Sequence, residues 1–122
     1  MATIRGVSHL LLQTSDLARA ERFYVEVLGF HVRERTTFRD GRPLVVMHEG
    51  LGLTELTEEG KRLRQEAGQS LEHVAFRVEN IAQLEHELRA AGVKIVDGPK
   101  PTAYGTSLYF LDPDGVRIEC HD

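Results

Sequence analysis

Tryptophan is absent from this 122-residue chain, cysteine occurs once and proline four times. A single cysteine, Cys120, excludes an internal disulfide framework and fits a reducing compartment. No apolar run approaches the ~20 residues of a membrane span, and the N-terminus lacks the apolar stretch of a secretory signal. A cytoplasmic protein without a membrane partner is therefore expected. An excess of positive charge is also missing: 15 Lys and Arg face 19 Asp and Glu, for a net charge of −4. Arg33, Arg35, Arg39 and Arg42 are interspersed with other residues rather than clustered, so no phosphate-tracking surface is visible and nucleic acid is not an expected partner. What is present is ordinary for a globular protein, 41% hydrophobic and 28% charged. The length suits one domain, or two half-size modules that share a core.

The chain repeats itself. His9 opens an apolar run, His9-Leu10-Leu11-Leu12-Gln13, and 64 residues later His73 opens His73-Val74-Ala75-Phe76-Arg77-Val78. Asp16-Leu17 and Asn80-Ile81 share that offset and read as helix starts, because Asp and Asn side chains accept from the free amides of a first turn. Helical spacing follows each: Leu17, Ala20, Tyr24, Val27 and Leu28, then Ile81, Leu84, Leu88 and Ala91. Gly29 and Gly92 suit left-handed caps. Strands are expected at about 30–38, 42–49 and 52–57 in the first half and about 93–96, 107–111 and 116–121 in the second. Asp40-Gly41, Gly50 and Asp112-Pro113-Asp114-Gly115 supply the turns. The predicted architecture is α+β, two βαβββ modules whose sheets curve around a cleft. Within a single domain of residues 1–122, module 1 covers about 4–57, a polar linker 58–70, with a helical turn around 61–67, and module 2 about 71–121.

In each half a His opens the first strand and a Glu lies in the last, and the interval is 46 residues in both: His9 to Glu55 and His73 to Glu119. Side chains alternate across a strand. If Leu10 and Leu12 face the helix, His9 faces away. If Val74, Phe76 and Val78 pack inward, His73 points outward with Ala75 and Arg77. Val116, Ile118 and Cys120 take the helix side of the last strand, and Arg117, Glu119 and His121 the open one. The alternation around Glu55 is weaker, and Glu55 is assigned to the open face with Leu53 and Thr57. Two imidazoles and two carboxylates on helix-free faces suit Zn, Ni, Co, Mn or Fe as a divalent ion. Four such ligands would leave two octahedral positions for substrate oxygens, and Glu119 or Glu55 could act as a base. Arg77 and Arg117, two residues from His73 and Glu119, either recognise an anionic group or orient a ligand carboxylate. Cys120 is expected to pack as a small hydrophobe, and His121 to lie at the surface. His31, His48 and His86 have no matching partners.

Gly-Val-Ser-His with Ser-Asp-Leu, Phe-Tyr and Leu-Gly-Phe resembles the start of vicinal-oxygen-chelate modules. Leu-Tyr-Phe-Leu-Asp-Pro-Asp-Gly-Val-Arg-Ile-Glu resembles their end, so the likeness spans about residues 4–121. It implies a metal-dependent enzyme with His9, Glu55, His73 and Glu119 as ligands to one divalent ion. It also implies a homodimer whose two sites each draw His9 and Glu55 from one chain and His73 and Glu119 from the other. The leading implied activity is proton transfer on a small oxygen-rich substrate, of the glyoxalase I (lyase) or epimerase type. Glyoxalase I shares the His/Glu/His/Glu order, although Gln13 and Glu58-Glu59 stand where it carries glutathione-binding Arg and Asn. Two enzymatic alternatives stay open. The run from Leu108 to Glu119 resembles the extradiol dioxygenase signature, with Tyr109 as its substrate-side tyrosine, but Lys100-Pro101-Thr102 occupies the place of its upstream His. The same run resembles fosfomycin-type thiol transferases, which use three protein ligands and a phosphonate-binding Lys that Lys100 could mimic. A metal-free, bleomycin-resistance-like antibiotic binder is the non-enzymatic alternative. Fold families of this kind do not dictate one reaction.

Overall fold

The computed structural model describes residues 2–38, 40–67 and 71–122, with the backbone alone for residues 63–67. The chain divides into two compact units, Met1–Gly60 and Lys61–Asp122. The first contains β1 (Leu10–Thr14), α1 (Leu17–Arg22), β2 (Val32–Thr37), β3 (Pro43–Met47) and β4 (Leu51–Glu55). The second contains β5 (Val74–Arg77), α3 (Ile81–Ala90), β6 (Ile95–Thr102), β7 (Gly105–Leu111) and β8 (Arg117–His121). The βαβββ order therefore occurs twice, and each unit holds one four-stranded sheet, ordered β1-β4-β3-β2 and β5-β8-β7-β6. In each sheet the first strand pairs in parallel with the last, and the other pairs are antiparallel.

Both predicted caps form. Asp16 accepts a hydrogen bond from the Arg19 amide at 3.0 Å, and Asn80 accepts one from the Gln83 amide at 3.0 Å. Each cap satisfies an otherwise orphaned donor, worth about 1 kcal/mol. Gly29 and Gly92 have φ of 76° and 73°, the left-handed conformation that ends a helix with least cost when no Cβ is present. α1 does not stop at Arg22 but continues as a π-helical segment, Phe23–Val27. There the Leu28 amide reaches back to the Phe23 carbonyl at 3.1 Å. The widened turn keeps both Phe23 and Tyr24 buried, and their rings meet edge to face at 5.2 Å.

The polar segment expected to be a linker differs from that expectation. Glu58–Ala67 forms a ten-residue helix, α2, where only one helical turn was anticipated. Glu58 and Glu59 lie in its first turn, where acidic side chains favour the positive end of the helix dipole. The final linker residues, 68–70, lie outside the described ones.

Each unit covers one sheet face with its helix. In unit 1, Ala20, Phe23, Tyr24 and Phe30 are buried, as are Val45, Met47, Leu51 and Leu53 of the sheet. In unit 2, Ile81, Leu84 and Leu88 of α3 are buried, with Val74, Leu108, Phe110, Ile118 and Cys120 of the sheet. Fully burying side chains of this size contributes about 1.5–3 kcal/mol each before the entropic cost of ordering them. Alternation then sends Ser107, Tyr109, Arg117, Glu119 and His121 to the other face of unit 2.

Candidate metal centre

β5 and β8 run parallel with Val74 opposite Ile118, Ala75 opposite Glu119 and Arg77 opposite His121. His73, one residue before the strand, therefore lies diagonally across from Glu119, as the alternation argument expects. The His73 Nε2 and Glu119 Oε1 atoms are 3.1 Å apart. Glu119 is 3% exposed, an unusual place for a carboxylate unless it is paired or ligating. Its other oxygen, Oε2, accepts from the Ser107 hydroxyl at 2.8 Å, and Ser107 lies 2.7 Å from the Thr102 hydroxyl. On the far side of the imidazole, His73 Nδ1 meets the Glu72 carboxylate at 2.7 Å. The hydrogen bond to His73 is the main cause that holds the Glu72 carboxyl below its ordinary range.

Tyr109 faces Glu119 directly across the β7–β8 ladder, and its ring meets His73 edge-on at 5.8 Å. Burial, then the charge of Glu119 and a hydrogen bond to it, push the phenol pKa up. The Tyr109 hydroxyl therefore keeps its proton and can donate a hydrogen bond. Two cations attend its ring: the Arg117 guanidinium at 4.8 Å and the Lys100 ammonium at 5.5 Å. Lys100 is held by Asp97, and that ion pair raises the lysine pKa. Arg117 Nε and His121 Nδ1 are buried without a hydrogen-bond partner in the structure. His121 is half-buried rather than at the surface and stacks against Tyr104 at 5.3 Å. Arg77 is exposed at the end of β5. Cys120 packs into the core as expected, and burial pushes its thiol up to about 12.

Unit 1 is arranged differently. Leu10 pairs with Leu51, Leu11 with Gly52 and Thr14 with Glu55. His9, one residue before β1, is exposed, with Nδ1 3.0 Å from the Ser8 hydroxyl. Glu55 sits at the opposite end of the parallel pair, four strand positions past Leu51, which is about 13 Å. Its parity is also opposite to the one assigned from sequence. Leu51 and Leu53 are buried core residues, so Glu55 shares the helix side, in a recess with Leu17, Ala18 and Glu21 of α1. His9 instead lines a cavity of about 330 Å³ with Leu11, Leu44, Val46 and Gly52. The predicted pairing of His9 with Glu55 is therefore corrected: the register does not bring these two side chains together.

The residue in the place corresponding to Glu119 is Gly52. Leu10–Leu51 matches Val74–Ile118, and Leu11–Gly52 matches Ala75–Glu119. Sequence reasoning missed Gly52, Ser107, Glu72 and Ser8. Only the last two carried a signal, since each directly precedes one of the repeated histidines. Among the described residues, no three His, Cys, Asp or Glu side chains gather into one cluster. The donors of unit 2 nevertheless fit a divalent transition metal: an imidazole nitrogen and a buried carboxylate oxygen stand one hydrogen-bond length apart, each with its remaining atom held by a neighbour.

Residues 6–120 match the family model of the Glyoxalase/Bleomycin resistance protein/Dioxygenase superfamily, and the chain belongs to that family. It is 28% identical over 119 residues to a probable lactoylglutathione lyase of Synechocystis, covering 91% of this chain and 90% of that protein. It is 33% identical over 124 residues to the metallothiol transferase FosB of Bacillus licheniformis, covering 97% of this chain and 75% of that one. Among solved structures it resembles TnmS3, an antibiotic binding protein from Streptomyces, with a TM-score of 0.73 and 26% identity over 99% of this chain and 98% of that one. No helix among the described residues is long and apolar enough to cross a membrane.

Proposed function

We propose that this chain is a metal-dependent enzyme that holds one divalent transition metal through His73 and Glu119, with His9 as the third protein ligand. Its reaction is the opening of a strained C–O bond in a small, oxygen-rich anion by a thiol: the S–C bond forms as the C–O bond breaks, and the proton of the thiol ends on the released oxygen. The observation that carries the reading is the 3.1 Å approach of His73 Nε2 to the buried Glu119 carboxylate, together with Gly52 at the matching place of unit 1. When bound, the metal supplies Lewis acidity toward a substrate oxygen. Arg117 and Lys100, on either side of Tyr109, supply the positive charge that binds an anionic group. The Tyr109 hydroxyl, kept protonated, donates a hydrogen bond beside Glu119 and orients what is bound there.

The leading expectation, glyoxalase- or epimerase-type proton transfer, relied on Glu55 as a second carboxylate and possible base. With Glu55 on the other face and Gly52 in its place, that proton shuttle loses a member. The three-donor set matches the thiol-transferase resemblance instead, and the similarity to a metallothiol transferase over 97% of the chain supports it. Similarity to a probable lactoylglutathione lyase keeps isomerisation as the competing enzymatic outcome, and similarity to an antibiotic binding protein makes metal-free sequestration the non-enzymatic one.

The test is elemental analysis after reconstitution with Zn, Ni, Co, Mn or Fe, followed by two assays. The wild type and Glu55→Gln are expected to hold about one metal per chain, whereas His73→Ala and Glu119→Gln lose it. Thiol consumption with fosfomycin as acceptor should then exceed isomerisation of a hemithioacetal. Loss of metal in Glu55→Gln would restore the four-ligand reading. No metal in the wild type with any ion would overturn the enzyme reading in favour of the binder.

A further inference from the structure

We propose that Glu72 and Ser8, the residues immediately before the two candidate ligand histidines, are positioning residues that hold each imidazole by Nδ1 and so present Nε2 to the metal. The inference rests on the metal reading above but concerns two side chains outside that ligand set. Two hydrogen bonds in two separate units carry it. Glu72 Oε1 lies 2.7 Å from His73 Nδ1, and Ser8 Oγ lies 3.0 Å from His9 Nδ1. Glu72 and Ser8 stand 64 residues apart, the same offset as their histidines, so the device repeats with the fold. In unit 2 the consequence is visible, because the opposite nitrogen, Nε2, is the one that meets Glu119.

The two clips differ in chemistry. An ionised carboxylate only accepts, so Glu72 requires a proton on His73 Nδ1. A cation bound between Nε2 and the Glu119 oxygen it faces at 3.1 Å would take the place of a proton there, so Nε2 is the nitrogen whose lone pair is offered to it. A hydroxyl both donates and accepts, so Ser8 is compatible with that state of His9 without enforcing it. The bond to a carboxylate is also the stronger and makes the imidazole a better electron donor. His73 is thereby the anchoring histidine and His9 the more weakly fixed one. Both clips lie on exposed chain, so their removal leaves the buried core of each unit intact.

The experiment reads nitrogen protonation directly. Long-range ¹⁵N–¹H correlation on the full-length, metal-free protein at pH 8 should show His73 Nδ1 bearing a proton in the wild type. In Glu72→Ala, Nδ1 should be bare, with the proton on Nε2 facing Glu119. Glu72→Gln, which keeps an accepting oxygen, should retain the Nδ1 proton at least in part. Zinc titration should show affinity falling roughly 10–100-fold in Glu72→Ala and less in Ser8→Ala. A wild-type His73 with bare Nδ1, or a Glu72→Ala protein that keeps Nδ1 protonated, would overturn the proposal. So would unchanged zinc affinity in Glu72→Ala. Failure of the wild type to bind any metal would instead sink the reading under Proposed function, and the metal-free spectra would decide the role of Glu72 separately.

Discussion

The chemistry of unit 2 turns on one carboxylate. Glu119 is 3% exposed, and a charge so placed is costly unless every oxygen has a partner. Oε1 faces His73, Oε2 accepts from Ser107 and the Tyr109 hydroxyl also bonds to the carboxylate, so losing Ser107 removes one of its three partners. Ser107 is itself fully buried, and the Thr102 hydroxyl lies 2.7 Å from it. That chain of hydroxyls fixes the carboxylate plane, as partners behind a metal ligand commonly do. Ser107→Ala should therefore lower zinc affinity by roughly 10–100-fold while the fold is retained. Isothermal titration of zinc against the wild type and the variant checks this, and equal affinities would show that Ser107 is only a buried hydroxyl. At this scale the sequence was partly legible. His73, Glu119 and Arg117 were recoverable because alternation puts them on one face, whereas Tyr109 stood out only through the family resemblance of its strand. Ser107 was not, because a serine in a strand carries no pattern that separates an orienting hydroxyl from a space-filling one.

At the scale of elements the 64-residue repeat was legible through the helices, because caps and apolar spacing are local properties. Asp16 and Asn80 cap as expected, and Gly29 and Gly92 end the helical segments. Beyond that point equal spacing stopped meaning equal place. The register-equivalent partner of His9 is Gly52, 43 residues on, whereas that of His73 is Glu119, 46 residues on. The second half is longer between its first and last strands; β6 has eight residues where β2 has six. The matching interval from His9 to Glu55 therefore overshot the site by three positions, an odd number, which also turned Glu55 to the other face. Only strand pairing, a non-local property, reveals this.

Gly52 offers the direct test of that register. A Cβ there would press on the flexible tip of Leu11 at 3.1 Å and make ordinary contacts with the Val45 carbonyl at 3.6 Å and the tip of Leu44 at 3.7 Å, and no positive φ opposes substitution. Gly52→Glu should thus fold and place a carboxylate on the same face as His9. Zinc affinity is expected to rise roughly tenfold, equivalent to about 1.4 kcal/mol, with thiol-transfer activity falling as a coordination position is filled. The readouts are competition with a chromophoric chelator and the thiol assay. Unchanged affinity would mean that this edge of β4 does not border the metal.

For the whole molecule, the proposed ligand set is divided between the two units. On that proposal unit 1 offers His9 and unit 2 offers His73 and Glu119, and a protein site for such a metal uses at least three ligands. A metal that draws on both units must join units of one chain or of two chains, and the resemblance stated from sequence favours two. Mixed dimers separate the cases. In a heterodimer of a His9→Ala chain with a Glu119→Gln chain, a site shared between chains concentrates both lesions in one site and leaves the other intact. A site within each chain leaves neither intact. Co-expression with two different affinity tags and tandem purification should therefore yield about one metal per heterodimer, against none in either variant homodimer. A heterodimer as empty as its parents would place the site within a single chain. Failure of the two tags to co-purify would remove the dimer itself, and with it the assignment of His9 to a partner's metal.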